Sequence, residues 1–256
     1  MTAPPPDRPG LRYEAIGRGY ASARRADPRI GAQILDAIGP DRPVVNVGAG
    51  TGNYEPFDRP VVAVEPSPTM LAQRSGPQPA VRALAEHLPF ADDSFAVATA
   101  IFTIHHWTDR DAGLGELARV AGRQVCLVYD TVVTATMWLQ DYFPELSTAA
   151  WEVDAPGPAT IARHLTIDEV RVLWVPPDCT DGFTGAYWNR PERYLDPAVQ
   201  AGMSTLARLD PRARRTGTER LRQAIESGRW DRHHGRLRAE TRFDMGYRLV
   251  VSRRPG

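Results

Sequence analysis

Five small residues, Gly48-Ala49-Gly50-Thr51-Gly52, follow directly on the β-branched run Val44, Val45 and Val47. Glycine lacks the Cβ that holds a ligand away from the main chain, so a turn of this kind at a strand end lets a small molecule lie against the backbone. Glu65 stands 17 positions after Gly48, at the end of the next apolar run, Val61 to Val64. A carboxylate placed there can accept hydrogen bonds from both hydroxyls of a ribose. The two features together point to an adenosine-containing ligand, and two cofactor classes share that geometry. A dinucleotide needs its pyrophosphate on the N-terminus of a proper helix, with a third glycine for close helix packing. Here Asn53 holds that third position, and Pro56 and Pro60 leave barely one turn before the second strand. S-adenosylmethionine carries no phosphate and can do without the helix dipole, so the sequence favours it over NAD.

Other side chains could serve an acceptor. His105 and His106 follow the fourth apolar run, and imidazole is the side chain whose pKa suits proton removal near neutrality, so either is a candidate base. Asp130, at the end of the fifth run, is a second candidate. Phe183, Tyr187 and Trp188 combine rings with polar tips and can wall a pocket for an apolar or aromatic molecule. Tyr13 and Trp107 complete the substrate-side candidates. Tyr20 and Arg24 are four apart and would share a helix face. His233-His234 lacks further ligands at metal spacing and reads as solvated surface; no metal is expected.

The elements that would position these groups alternate. Ile30, Ile34 and Ile38 recur every four residues before Gly39-Pro40, which predicts an amphipathic helix over Pro28 to Ile38. Strands are expected at Val44 to Val47, Val61 to Val64, Ala80 to Ala83, Phe95 to Phe102 and Val125 to Tyr129. A short helix follows Ser67-Pro68, and another runs from Thr108 to Val120 with Leu114, Leu117 and Val120 on one face. Strands alternating with helices at this spacing imply a doubly wound, mostly parallel α/β sheet of Rossmann-like type. Val170 to Val175 and Tyr247 to Val251 are the last two strands. The stretch between them carries helical periodicity at Pro197 to Leu209 and Thr218 to Glu226, so it is expected to fold as a helical cap over the sheet. The expected organisation is a flexible leader and lid helix over 1–27, a core formed by 28–176 and 243–256, and a helical cap over 177–242, excisable with the cofactor site left largely intact.

Composition narrows the setting. The 31 basic and 31 acidic residues cancel, which removes the simplest case for a nucleic-acid or acidic-membrane binder. From Arg190 to Arg242 there are 13 Arg against 7 acidic residues, an asymmetry expected to be a solvated face. The uncharged run Phe95 to Ile104 is far short of the ~20 residues of a membrane span. Two cysteines, Cys126 and Cys179, give no disulfide framework and fit a reducing cytoplasm. A monomer or homodimer is expected, with a small-molecule substrate and with neither nucleic acid nor membrane as a partner.

Four motifs in order carry a family resemblance: Val44 to Gly52; Val64-Glu65-Pro66-Ser67; Ala85-Glu86-His87-Leu88-Pro89-Phe90 with Asp93-Ser94-Phe95; and His105-His106-Trp107-Thr108-Asp109. The chain resembles the class I S-adenosylmethionine-dependent methyltransferases, in the ubiquinone/menaquinone-methyltransferase-like branch. The resemblance implies the seven-stranded order with an antiparallel last strand. It implies that Asn46, Gly48, Ala49, Gly50 and Gly52 border the methionine part of the cofactor and that Glu65 holds the ribose. Pro66, Ser67, Met70, Ala85 and Glu86 would surround the adenine. Tyr20 and Arg24 would belong to an N-terminal lid, with Arg24, or alternatively Arg25, pairing with the methionine carboxylate. Asn46 stands where the family usually has Asp, and Leu84 where many members have an Asp for the adenine amino group. The loop after the fourth strand lacks the motif of base-modifying members, so a small-molecule acceptor, plausibly of bacterial specialised metabolism, is implied. The alternatives are a non-catalytic binding module for the cofactor or a nucleoside, and an NAD(P)-linked oxidoreductase.

Overall fold

A computed structural model describes residues 24–256, so Tyr13 and Tyr20 lie outside the described residues. Helix α1 (Pro28–Ile38) begins where Asp27 caps it by accepting the Arg29 N–H and Pro28 supplies the preset first-turn φ. Its apolar stripe, Ile30, Ile34, Ala37 and Ile38, is buried. The exposed carbonyls of its last turn take the Arg123 guanidinium, a cation at the negative end of the helix. Strands β1 (Val44–Val47), β2 (Val61–Val64), β3 (Ala80–Val81), β4 (Phe95–Ala100) and β5 (Ala121–Tyr129) pair in parallel. Helix α2 (Pro68–Leu71) is capped by Ser67, and α3 (Arg110–Val120) by Asp109. Strand β7 (Phe243–Arg253) runs antiparallel to both β5 and β6 (Thr166–Val175), giving the order β3-β2-β1-β4-β5-β7-β6. The sheet therefore reverses direction of growth at β1, which has β2 on one side and β4 on the other. In such sheets the carboxyl ends on either side of that reversal open into a crevice.

Two long connections cover the neighbourhood of that edge. The first, between β5 and β6, holds α4 (Thr131–Thr134), 3-10 turns at Trp138–Asp141 and Pro144–Thr148, α5 (Ala150–Val153) and α6 (Pro158–Ala162). The sequence reading assigned it no elements, because pieces of four or five residues are too short to show a helical period. The second, between β6 and β7, holds 3-10 turns at Thr184–Tyr187 and Pro191–Leu195, then α7 (Pro197–Gly202), α8 (Ser204–Ala207), α9 (Pro211–Glu226) and α10 (Arg229–His234). The helix expected over Pro197 to Leu209 is broken by the extended backbone of Met203. The one expected from Thr218 begins earlier, at Pro211, where Asp210 accepts two backbone N–H groups.

These connections have no core of their own. Trp138, Phe143, Trp188, Tyr194 and Trp230 lie in one continuous buried cluster with Ile30, Ile34 and Val44. Polar ring atoms fix the packing: Trp138 Nε1 donates to the Trp188 carbonyl at 2.7 Å, and Trp188 Nε1 to that of Pro176 at 3.3 Å. Gly217 on α9 sits so close to Phe143 that an added Cβ would lie 2.3 Å from the ring. The opposite face of the sheet is covered by α3 through Leu114, Leu117 and Val120. Cys126 and Cys179 are free and buried, and burial pushes both thiols up to about 12. No helix among the described residues is long and apolar enough to cross a membrane.

Candidate functional site

The glycine turn after β1 is shaped by specific neighbours. Gly48 has φ +70, and a Cβ there would lie 1.8 Å from Thr103 Oγ1, so glycine lets the turn close against the end of β4. Gly50 has φ +54, and the nearest atom to its added Cβ is Met70 Cε at 3.4 Å. Left-handed φ values make both positions unfavourable for a branched residue whatever the space. The Glu65 carboxylate, 6% exposed, accepts the N–H groups of Gly50 (2.8 Å) and Ser67 (2.9 Å). It thereby ties the turn after β1 to the one after β2. Burial raises the Glu65 pKa, opposed by those two N–H groups and by the positive charge of Arg74. Each carboxylate oxygen can accept more than one hydrogen bond, so capacity for two ribose hydroxyls remains.

Beneath the turn lies a polar trio. Asn46, at the end of β1, donates through Nδ2 to Glu55 Oε1 at 2.9 Å and accepts the Thr99 hydroxyl at 3.1 Å. Glu55 Oε2 accepts from Arg74 at 2.7 Å, in an ion pair whose side chains are 4% and 6% exposed. Neither Glu55 nor Arg74 stood out in the sequence. The amide at Asn46 thus stands next to a buried carboxylate, and that carboxylate is neutralised from the far side. No helix lies between Gly52 and β2. With no helix N-terminus at the turn, a pyrophosphate lacks the dipole it usually rests on, and buried carboxylates flank the turn, one of them paired with Arg74. The fit is to a cofactor that presents a ribose and no phosphate.

The adenine-side candidates fall at the ends of β2 and β3. Ser67 and Met70 are buried, Ser67 with its hydroxyl accepting the Met70 N–H, and Pro66 is half-buried beside them. Ala85 is buried, whereas the Glu86 carboxylate turns to the N–H groups of Thr108 and Asp109 and so anchors the start of α3. Ala49 is buried within the turn.

On the other side of β4 lies a partly open cavity. Its wall includes Phe102, His105, His106, Tyr129, Phe183 and Tyr247, together with Met137, Met203 and Met245, and Glu152, Thr205 and Arg208 are among its polar groups. Phe102 is the hinge between crevice and cavity: it holds φ +55, stacks on Phe183 at 5.2 Å, meets Tyr247 edge-on at 5.6 Å and lies 6.3 Å from Tyr54 of the glycine-turn segment. A left-handed phenylalanine is uncommon and persists where its surroundings over-determine it. The Tyr129 hydroxyl lies 3.4 Å from His105 Nδ1, and the His105 and His106 rings are 3.8 Å apart.

Several expected site residues sit elsewhere. Tyr187 and Trp188 do not line the cavity. Trp188 is fully buried and stacks on Phe243 at 5.1 Å, while the Tyr187 ring lies beneath the Arg190 and Arg193 guanidinium groups. Of the three aromatics only Phe183 borders it. Trp107 donates to Thr103 Oγ1 and packs against Gly113 of α3, whose added Cβ would lie 2.5 Å from the indole. Asp130 caps α4 and pairs with Arg248 at 2.9 Å. Arg24 borders the cavity, yet its guanidinium makes a bidentate pair with buried Asp181, at 2.6 and 3.0 Å. Asp181 also accepts from Tyr54 Oη at 2.7 Å, so this contact joins the segment before α1, the glycine-turn region and the start of the second connection. Glu152, Met137 and Met245 were missed because nothing in their local sequence marks them; the tertiary fold alone assembles them. His234 Nε2 lies 3.1 Å from Asp141 and its ring packs against Trp138 and Trp230, bridging the two connections. Among the described residues no cluster of three or more potential metal ligands occurs.

Comparison with known proteins agrees with this geometry. A family model described as a methyltransferase domain matches residues 45–128. The demethylmenaquinone methyltransferase of Corynebacterium kroppenstedtii is 32% identical over 152 residues, 58% of this chain and 60% of that enzyme. The chain thus matches less than two thirds of that relative's length. A methyltransferase of Anabaena variabilis, described as from an antibiotic biosynthesis pathway, is 29% identical in its crystal structure, with a TM-score of 0.81 over 90% of this chain and 98% of that one. The [4+2]-cyclase SpnF shares the fold at 15% identity, with a TM-score of 0.51 over 100% of this chain and 98% of that one. The domain match, the strand order and the Anabaena superposition lead to one assignment: residues 45–128 match a methyltransferase domain, on a fold that 90% of the chain shares with the Anabaena methyltransferase, and S-adenosylmethionine is the cofactor that this match indicates.

Proposed function

We propose that the chain transfers a methyl group from S-adenosylmethionine to a small-molecule acceptor seated in the cavity beside β4. The observation that carries this reading is Phe102, whose one ring borders the cavity and packs toward the glycine-turn segment, so acceptor and cofactor sites share a wall. S-adenosylmethionine supplies an electrophilic methyl carbon. The remaining work is positioning, exclusion of water and, where the acceptor must lose a proton, a base. His105, which lines the cavity with its Nδ1 3.4 Å from the Tyr129 hydroxyl, is the group placed to take that proton. Gly48, Gly50, Gly52 and Asn46 would border the methionine part, Glu65 the ribose, and Pro66, Ser67, Met70, Ala85 and the Glu86 backbone the adenine. Arg24, held by Asp181 through Nε and Nη2, would pair with the methionine carboxylate.

The relatives' names, a quinone-pathway methyltransferase and an antibiotic-pathway one, support a small organic acceptor and a place in bacterial specialised metabolism. A cytoplasmic location fits two reduced, buried thiols. The test is formation of S-adenosylhomocysteine from S-adenosylmethionine with a panel of phenols, naphthols and aromatic amines. Acceptor-dependent product, lost in His105→Ala, supports the reading. Tight cofactor binding with no acceptor-dependent product would favour a non-catalytic binding module.

A further inference from the structure

The cavity wall joins two unlike groups of residues. Around Phe102 its wall is aromatic, with Phe183, Tyr247, Tyr129 and the two imidazoles. Glu152, Thr205 and Arg208, from α5 and the segment around α8, contribute a polar patch from the two long connections. Glu152 Oε1 accepts the Thr205 hydroxyl at 2.9 Å, and this is the carboxylate's one side-chain hydrogen bond among the described residues. Desolvation raises the Glu152 pKa, partly offset by Thr205 and by the Arg208 charge. A carboxylate drawn out of water costs free energy unless hydrogen-bond donors surround it. Glu152 is half-buried in the cavity wall, and beside the Thr205 bond its carboxylate keeps lone pairs that can accept from a molecule in the cavity.

Resting on the methyltransferase reading, we propose that Glu152, oriented by Thr205, is the specificity-determining residue of the acceptor site. It receives a hydrogen-bond-donating group, a hydroxyl or amine, on the side of a flat aromatic acceptor remote from the atom that is methylated. The aromatic wall takes the ring by stacking and edge contacts, and His105 faces the nucleophile. An acceptor with donors at both ends is then held in one orientation, whereas one with a single hydroxyl can bind either way round. An acceptor carrying a carboxylate in place of the remote donor is disfavoured, because it would meet Glu152 with like charge.

The experiment is calorimetric titration of the protein saturated with S-adenosylhomocysteine. The probes are 2-naphthol, 2,6-dihydroxynaphthalene, 6-amino-2-naphthol and 6-hydroxy-2-naphthoate. The dihydroxy and amino probes are expected to bind at least tenfold more tightly than 2-naphthol, and the naphthoate more weakly. Glu152→Leu should bring the first three within twofold of one another with S-adenosylhomocysteine affinity unchanged. Should that variant fail to fold, the near-isosteric Glu152→Gln should still cut the preference at least threefold. Equal affinities in the wild type, tightest binding of the naphthoate, a preference that survives both substitutions, or no binding of any probe would each overturn the proposal. Failure of the protein to bind S-adenosylhomocysteine at all would instead overturn the methyltransferase reading beneath it.

Discussion

At the scale of single residues, the site depends on where the backbone lacks a Cβ and where a carboxylate is buried with donors. Replacing Gly50 by Val forces a branched residue into φ +54 and aims its Cβ at Met70 Cε. S-adenosylhomocysteine affinity is expected to fall at least tenfold, about 1.4 kcal/mol, while the far-ultraviolet circular dichroism stays that of wild type. His105→Ala should leave that affinity within twofold and lower turnover roughly 10²-fold, the usual scale of a lost general base. Turnover within threefold of wild type would mean that positioning alone carries the reaction. These residues were legible in the sequence because a glycine turn after a strand, or two imidazoles after another, is a local pattern. Glu55, Arg74 and Glu152 were not, since nothing within several positions of each foretells the partner it finds. Asn46 shows how partial a local reading is: its amide is held 2.9 Å from the Glu55 carboxylate, a partner nine positions away that is itself paired with Arg74.

At the scale of elements, Asp27 joins two roles. It caps α1 through the Arg29 N–H, and it accepts the Thr180 N–H at 3.0 Å from the start of the second connection. Burial by itself would raise its pKa, but the hydrogen bonds from Arg29 and Thr180 together hold it well below the ordinary carboxylate range. A depressed folded-state pKa gives stability that is complete above the unfolded value near ~3.9 and is lost as pH falls through the acid range. Asp27→Asn keeps a capping side chain but removes the charge, so its denaturant midpoint should decline less steeply than wild type below about pH 4. An unchanged acid slope would show that the ionised form of Asp27 contributes nothing to folding. The strands and the two eleven-residue helices, α1 and α3, were readable from β-branched runs and from apolar residues three or four apart. The connection between β5 and β6 was not, because its helices are of four or five residues and their apolar side chains answer to tertiary neighbours.

At the scale of the whole molecule, the sequence suggested a cap that could be cut away. The buried cluster argues otherwise: Trp188, Tyr194 and Trp230 share it with α1 and β1. Excising residues 177–240 would strip Trp138 of the rings of Tyr194 and Trp230 and Phe143 of its contact with Gly217, and would uncover part of the cluster that holds Ile30 and Ile34. Losing a buried large side chain's packing costs about 3–5 kcal/mol, and several are lost at once against a total stability of roughly 5–15 kcal/mol. The truncated chain is therefore expected to be unfolded or aggregated, checked by loss of a cooperative thermal transition. A soluble truncated protein with a sharp transition would show that the sheet and α3 suffice.

The central claim is that the crevice at the ends of β1 and β2 is built for S-adenosylmethionine, through Glu65 and the glycine turn. The most direct measurement is isothermal titration of S-adenosylhomocysteine and of NAD into the wild-type chain and into Glu65→Ala. The account expects saturable one-site binding of S-adenosylhomocysteine by the wild type, at least tenfold weaker binding by Glu65→Ala, and no competition from NAD. Equal affinity in the two proteins, or displacement of S-adenosylhomocysteine by NAD, would contradict it.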